Sequence, residues 1–323
     1  MSWILFAVVC VLGWGFADLF YKKSSDESDR NSHLKIAVWV GLVMGVCAFA
    51  LIPFAETKFS VPSLLENAVK YFPASLSYII SMVIGYAGLR YLELSIISPV
   101  QNSSGALSMI AMVVYFVATG RIGSITEEYG TLDFAGVFFV IAGVITLSVV
   151  EKILSDRDRE ENTPENSKFR IGALALVFPL LYCVFDTIGT AADGIILDEE
   201  TGLGLGEIDV IILYGLTFLF AGIVSWIVLL IKEKKPYNPF AVKEIKTKGA
   251  AAVCEEFGQI FYVYAMARNP VLAAPVVASY CIVSLLLSRI ILKEKLTALQ
   301  YACIFAVIIG IVLLGVSEGL AEI

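Results

Sequence analysis

Five carboxylic acids lie in long apolar stretches of the sequence, where ionisable residues are rare. Asp18, Asp186, Glu255 and Glu256 lie within these stretches, and Asp193 lies near the end of one. Placing an ionisable group inside a membrane costs on the order of 2.5–3.5 kcal/mol even on a permissive insertion scale. Because this cost has to be offset, these residues are the first candidates for function.

The apolar stretches themselves carry arginine only at or near their ends, where a long side chain can reach the membrane interface. These residues are Arg90, Arg121, Arg268 and Arg289. Acids without bases favour a cationic or zwitterionic solute, since phosphates would need lysine, arginine or helix N-termini. They also suit proton coupling, because a carboxyl group removed from water holds its proton more tightly. The alternative is that the acids are neutral, hydrogen-bonded and structural.

Helical spacing separates the neighbouring candidates in the eighth apolar stretch. Glu255, Gln259, Tyr262 and Met266 recur at i, i+4, i+7 and i+11, which places them on one helix face. Glu256 is rotated from that face by about 100°. We therefore predict that Glu255, Gln259 and Tyr262 face a cavity and bind substrate. Glu255 is the first candidate for proton coupling and Glu256 the second.

A second polar cluster lies at the start of the fourth stretch. It contains Gln101, Asn102 and Ser104, and Pro99 just before it would free backbone carbonyl groups nearby. We predict that these three polar residues bind substrate. A helix-packing seam through Ser104 is the alternative.

Aromatic residues accompany two of the acids at helical spacing. Trp14 precedes Asp18 by four residues, and Tyr182 precedes Asp186 by four. A ring face next to a carboxylate suits an ammonium group, since a cation over a ring is worth roughly 0.5–2 kcal/mol. We predict that these four residues bind substrate and that Tyr280 adds to the wall. Packing is the alternative for each ring.

The composition predicts an all-α integral membrane protein with ten transmembrane helices. Of 323 residues, 58% are hydrophobic and 16% are charged, and the mean hydropathy is +0.83. Soluble domains carry about 25% charged residues. Ten spans of roughly 20 residues would account for the apolar content. The predicted spans are 3–21, 34–54, 72–91, 95–119, 131–150, 171–191, 208–231, 249–267, 271–292 and 297–316.

Several classes of function lack the residues they need. The net charge of -7 offers no basic face for nucleic acid. The six cysteines lie in apolar stretches without a CxxC pair, and the single histidine, His33, lies in a polar loop. No Walker-type loop is present. We therefore predict a protein that is not an enzyme, uses no cofactor or metal and binds no nucleic acid.

The two halves of the chain resemble each other. Residues 86–100 align without gaps on residues 262–276, with a proline at matching positions. We predict a first five-helix repeat at 1–150, a polar cytoplasmic linker at 151–170 and a second five-helix repeat at 171–323. An odd number of spans inverts the second copy, which is a common arrangement in transporters.

The distribution of lysine and arginine predicts the orientation. Nineteen of the 23 lie in the breaks after odd-numbered spans or at the span ends next to those breaks. The other four are Lys58, Lys70, Arg121 and Arg268. Because basic loops stay in the cytoplasm, we expect both termini to lie outside.

Sequence motifs resemble those of the drug/metabolite transporter superfamily, closest to its ten-span EamA-type branch. They are the first helix, GWGFADLFYKKS, the third-to-fourth hairpin with its proline, and the final segment RIILKEKLTALQYACIFAVIIGIVLLG. The resemblance implies a central cavity lined by helices one, three, four, six, eight and nine, and alternating access. It also implies that both termini lie in the cytoplasm, whereas the charge distribution predicts that they lie outside. We retain the orientation that the charge distribution predicts.

These observations predict a secondary transporter of a small cationic or zwitterionic metabolite in a prokaryotic plasma membrane. Its partners would be the small-molecule substrate and the lipid bilayer. A carrier of neutral solutes such as sugars is one alternative, and a membrane scaffold or receptor is another. Gly41 and Gly45 form a GxxxG step, which leaves open both contact within the chain and a homodimer.

Overall fold

The computed structural model describes residues 2–24, 29, 31–55, 60–88, 102–161, 177–198, 202–234, 236–292 and 296–321. Within these ranges all regular structure is helical. The helices of eight or more residues are α1 (Trp3–Ser24), α2 (Ser32–Leu51), α3 (Val61–Gly88), α4 (Ser104–Ala118), α5 (Thr131–Glu161), α6 (Val177–Leu197), α7 (Glu207–Glu233), α8 (Ala250–Arg268), α9 (Pro270–Val277), α10 (Tyr280–Leu287) and α11 (Ala298–Ala321). Shorter helical segments are Ile52–Phe54, Ile125–Glu128, Val242–Glu244, Ile245–Gly249 and Ser288–Leu292.

Eight helical segments in the described ranges are long and apolar enough to cross a membrane. They are Trp3–Tyr21, Ser32–Phe54, Pro62–Gly85, Thr131–Val150, Leu180–Leu197, Glu207–Glu233, Pro270–Ile291 and Ala298–Ala321. The chain is therefore an integral membrane protein. Helix α4 is apolar but has only 15 residues, and α8, which carries Glu255 and Glu256, is not among the eight. Ten spans and the inverted repeat thus remain predictions.

Helix α3 begins eleven residues before the start predicted for the third span, because its polar first turns are stabilised locally. Ser60 and Ser63 exchange hydrogen bonds across the helix start, with Ser60 N donating to Ser63 Oγ at 2.9 Å and Ser63 N to Ser60 Oγ at 3.3 Å. Pro62 occupies the first turn, where its missing N–H is not needed. Lys70 then pairs with Glu66 at 3.0 Å, one turn earlier.

Helix α5 extends to Glu161, so the first part of the predicted 151–170 linker is helical. Hydropathy marks only where a helix leaves an apolar environment, and glutamate, lysine and arginine are themselves good helix formers. The rest of the linker and the third-to-fourth hairpin lie outside the described residues.

The GxxxG step of α2 packs against α7 of the same chain. A Cβ added at Gly41 would lie 2.8 Å from Gly222 Cα, and one added at Gly45 would lie 2.8 Å from Leu219 Cδ1. Only glycine permits such close approach of two helix backbones. This step therefore joins two helices within the chain, and a homodimer through other surfaces remains a prediction.

The segment Pro270–Ile291 is a broken helix beside the centre of the bundle. Asn269 alone separates α8 from α9, and its side chain accepts a hydrogen bond from Leu272 N at 3.1 Å. The turn between α8 and α9 is therefore tight, in agreement with the short gap between the predicted spans 249–267 and 271–292. Ala278 and Ser279 interrupt the helix between α9 and α10. The interruption brings Ala278 against Gly105 of α4, where a Cβ would overlap it.

Candidate binding site

A cavity with a volume of about 120 Å³ lies between seven of the membrane-embedded elements. This volume has room for several water-sized groups. Its lining residues come from α1, α3, α6, α7, α8, the α9–α10 pair, and α4 with the residues just before it. They are Trp14, Asp18, Tyr21, Tyr78, Met82, Gly85, Asn102, Ser104, Gly105, Tyr182, Asp186, Thr190, Tyr214, Glu255, Gln259, Tyr262, Ala274, Val277, Ala278 and Tyr280.

Nearly all of the predicted site residues lie around this one space. The predicted residues that line the cavity are Trp14, Asp18, Asn102, Ser104, Tyr182, Asp186, Glu255, Gln259, Tyr262 and Tyr280. Gln101 lies outside the described residues. The structure brings these side chains together from opposite ends of the chain, and their binding of a substrate remains a prediction.

Glu256 is the predicted site residue that the structure places elsewhere. Its side chain is buried, does not line the cavity and is hydrogen-bonded with Cys47 of α2. Glu255 and Glu256 are adjacent, and their side chains leave the helix about 100° apart. Glu255 therefore faces the cavity while Glu256 faces α2.

Three carboxylates line the cavity, and no lysine or arginine is among the described lining residues. Asp18 accepts a hydrogen bond from Ser284 Oγ of α10. Asp186 is hydrogen-bonded with Ser104 and Tyr182, and Glu255 is hydrogen-bonded with Tyr21. These neutral donors orient the carboxylates but do not balance their charge.

Aromatic rings form one side of the cavity. The ring centroids of Trp14 and Tyr262 are 5.3 Å apart at an interplanar angle of 31°, and Tyr280 meets Trp14 edge-on at 5.9 Å. Trp14 can approach α8 closely because residue 258 is glycine: a Cβ there would lie 2.4 Å from the indole Cδ1. These contacts fix the Trp14 ring in the cavity that Asp18 and Glu255 also line.

Two nitrogen donors of lining residues are left without partners in the described part of the chain. They are Nε1 of Trp14 and Nε2 of Gln259, both buried. A buried donor without an acceptor is costly, so it is suited to a ligand that brings one. The lining thus offers carboxylate acceptors for a cation and N–H donors for an anionic or carbonyl oxygen.

The cavity also uses residues outside the predicted binding set. Tyr78 is hydrogen-bonded with Thr190 Oγ1 at 2.9 Å and with the hydroxyl group of Tyr262. Thr190 lies four residues after Asp186, so the helical spacing applied to Glu255 would have placed it on the lining face of α6. Tyr214 could not be found in this way, because it enters from α7, a helix that was not expected to line the cavity.

Comparison with known proteins assigns the second half of the chain. Residues 201–316 match the EamA-like transporter family. Residues 201–316 are thus similar to an EamA-like transporter domain. This match confirms the resemblance to the drug/metabolite transporter superfamily, and it indicates a membrane transporter of small molecules.

Beyond the EamA-like domain, the comparisons bear on the fold alone. No curated protein sequence matches the chain. A solved structure described only as the crystal structure of a protein is similar over 100% of this chain and 99% of its own, with a TM-score of 0.63 and 12% sequence identity. At this identity the similarity shows that the two chains share a fold.

The EamA-like domain supplies one side of the cavity and the residues before it supply the other. Tyr214, Glu255, Gln259 and Tyr262 belong to the domain, together with the α9–α10 residues of the lining. The remaining acids, Asp18 and Asp186, lie before it. The site is therefore formed between the EamA-like domain and the first part of the chain.

The cavity lies towards one end of the bundle. Asp18 and Tyr21 lie in the last two turns of α1 and Met82 and Gly85 in the last two turns of α3, whereas Ser104 lies at the start of α4. All five contribute to the same cavity, so these helix ends lie on the same side.

The opposite end is closed by tight packing beneath the cavity. A Cβ added at Gly194 would lie 2.7 Å from Pro270 Cβ and 3.2 Å from Met266 Cε. Beyond this layer, ion pairs join Arg121 to Asp198 at 3.4 Å and Arg268 to Glu207 at 3.3 Å. A second cavity of about 290 Å³ lies there, lined by Trp3, Phe116, Arg121, Glu128, Tyr129, Asp133, Asp198, Arg268, Asn269, Pro270, Val271, Leu272, Ser317, Glu318 and Ala321.

Proposed function

We propose that this protein is a secondary active transporter of a small cationic or zwitterionic metabolite, such as an amine, a choline-like compound or an amino acid. The observation that carries the proposal is the lining of three carboxylates without a basic residue among those described. A cation entering this space replaces the water that it loses with carboxylate oxygens and ring faces. A phosphate would meet only like charge.

The unpartnered donors favour a cargo that also carries an acceptor group. Trp14 Nε1 and Gln259 Nε2 would satisfy a carboxylate or carbonyl oxygen, while Glu255, Asp18 or Asp186 would bind an ammonium group. An amino acid or a similar zwitterion offers both groups within a few ångströms. The volume of about 120 Å³ favours a cargo of a few non-hydrogen atoms.

The unequal ends of the bundle support alternating access. In this conformation the cavity lies towards one end, and the layer containing Gly194, Met266 and Pro270 closes the other. Transport would require that layer to separate while the helix ends around Asp18 and Glu255 come together. We propose that Glu255 contacts the cargo or a coupled proton during this exchange.

A thermal-shift screen of the purified protein tests the proposed cargo class. We expect amines, quaternary ammonium compounds or amino acids to raise the unfolding temperature in proportion to the logarithm of their concentration, because a ligand that binds only the native state stabilises it. Phosphate compounds should have no effect. Phosphates stabilising best would contradict the charge argument.

Two other outcomes of the same screen would select the alternatives. Stabilisation by sugars alone would indicate a neutral-solute carrier, in which the carboxylates accept hydroxyl hydrogen bonds. An absence of stabilisation across the panel, together with no uptake into liposomes, would indicate a scaffold or receptor.

We further propose that the protein lies in a prokaryotic plasma membrane with both termini outside, on the basis of the excess of lysine and arginine after the odd-numbered spans. Fusing a reporter to the C-terminus tests the orientation. In a bacterial host, alkaline phosphatase should be active there and green fluorescent protein dark. The reverse pattern would place the termini in the cytoplasm.

A further inference from the structure

A fourth buried acid, Asp193 of α6, lies behind the wall of the cavity. We propose that Asp193 is a proton-binding site, separate from the cargo cavity and enclosed by the hydroxyl groups of Tyr71, Tyr78 and Tyr262. This goes beyond the proposed function, and its tests need no cargo.

The burial of Asp193 requires a neutral side chain. The residue has no solvent exposure, and the polar groups that face its carboxylate are the neutral hydroxyl groups of Tyr71, Tyr78 and Tyr262, none of them within full hydrogen-bond distance. A carboxylate in this state has lost its hydration and receives only weak neutral donors in exchange, which is unfavourable. Binding a proton removes the charge and turns one oxygen into a hydroxyl donor.

Among the described residues, the groups facing Asp193 supply no positive charge. Tyr71 and Tyr78 face it from α3, and Tyr262 faces it from α8. Tyr214 of α7 packs on both α3 tyrosines, with ring centroids 6.5 Å from Tyr71 and 5.5 Å from Tyr78. The neighbouring Gly194 meets only Met112, Met266 and Pro270 among the nearest atoms from α4, α8 and α9. On α6 itself, the titratable neighbour is Asp186, two turns earlier, and it is another acid.

The space around Asp193 favours a proton over a metal ion. Asp193 lines neither of the two cavities described above. A sodium ion needs several oxygen atoms drawn around it at coordination distance, whereas the oxygen atoms that face Asp193 are tyrosine hydroxyl groups that do not approach within full hydrogen-bond distance. A proton needs no volume of its own.

The tyrosines around Asp193 connect this site to the cavity. Tyr78, Thr190 and Tyr262 line the cavity and are joined through the Tyr78 hydroxyl group. Behind them, Tyr71 is fully buried and its hydroxyl group faces Asp193. A small rotation of these tyrosines would let a proton pass between the cavity and Asp193. The site therefore sits between the cavity and the closed end.

Infrared spectroscopy of the purified protein tests the site directly. We expect the carbonyl band of a protonated carboxyl group to persist well above about pH 3.9, where a free aspartate loses its proton. Asp193→Asn should remove one component of that band. Asp186→Asn, which alters a cavity acid on the same helix, should leave that component in place. A carbonyl band that is unchanged by Asp193→Asn would overturn the proposal. Loss of this band from the wild type on adding sodium chloride at constant pH would also overturn it, because sodium would then be replacing the proton.

The pH dependence of the unfolding temperature provides a second readout. It compares each variant with itself at different pH values, so it can also be used for a variant of lowered stability. In this proposal the native state holds a proton on Asp193 at pH values where the unfolded chain has lost it. The free energy of unfolding is therefore highest at low pH and falls as the pH rises towards the value at which native Asp193 loses its proton. Asp193→Asn should flatten this fall. Tyr71→Phe leaves the carboxyl group in place and should keep the fall. Equal pH profiles for the wild type and Asp193→Asn would refute the site, whatever the outcome of the cargo screen.

Discussion

Replacing Glu255 with glutamine should weaken cationic cargo binding by about 10- to 100-fold, which corresponds to the roughly 1.5–3 kcal/mol of a hydrogen bond to a charged group. The glutamine keeps the size of the side chain and removes one of three negative charges from the lining. The measurement is the concentration of an amine or amino acid that gives half-maximal thermal stabilisation. Uptake into liposomes should fall with it.

Glu256→Gln is the matched control for this change. It removes the same charge one residue away, but the Glu256 side chain is hydrogen-bonded with Cys47 and lies off the cavity. Cargo binding should therefore stay within about twofold of the wild type, a difference of less than half a kcal/mol. Equal losses in both variants would contradict the assignment of the cavity face. Equilibrium exchange of every cargo surviving intact in Glu255→Gln would show that the site assignment is wrong.

Replacing Trp14 with alanine should selectively weaken binding of quaternary ammonium or amine ligands, by about 3- to 30-fold. The loss follows from the ring face, worth roughly 0.5–2 kcal/mol to a cation. Trp14→Phe keeps a ring but removes the unpartnered Nε1, so it should retain simple amines and lose part of the affinity for amino acids. The measurement is again ligand-dependent stabilisation, expressed relative to each unliganded variant.

Trp226→Ala is the control for Trp14→Ala, because it removes a tryptophan that does not line the cavity. Trp226 lies on α7 with 42% of its surface exposed, away from the cavity lining. This variant should bind amines as the wild type does. If Trp14→Ala and Trp14→Phe both left amine binding unchanged, the ring would be a packing residue, which is the alternative for every aromatic in a membrane helix.

Much of the site could be predicted from spacing along single helices. The i, i+4 and i+7 pattern placed Glu255, Gln259 and Tyr262 on one face, and all three line the cavity. Met266 shares this face but packs against Gly194 instead of lining the cavity. Residue spacing defines which side chains share one face of a helix. It does not define how far along that face the cavity extends, because this depends on the helices that pack against it.

Other features needed contacts between distant parts of the chain. Asp18 meets Ser284 of α10, and Gly41 meets Gly222 of α7. Asp193 appears in the sequence as an acid near a helix end, which would ordinarily reach water. Packing of α3 and α8 over it places the tyrosine hydroxyl groups there instead.

The amino-acid sequence by itself determined that this chain enters a membrane, which acids it carries inside, and which residues share a helix face with them. These properties follow from hydropathy and from a fixed helical period, both of which are local. Only the tertiary structure decided which faces meet, that Glu256 lies against α2, and that tyrosine side chains enclose Asp193. Those outcomes depend on packing between helices far apart in the chain, and no local pattern encodes that packing.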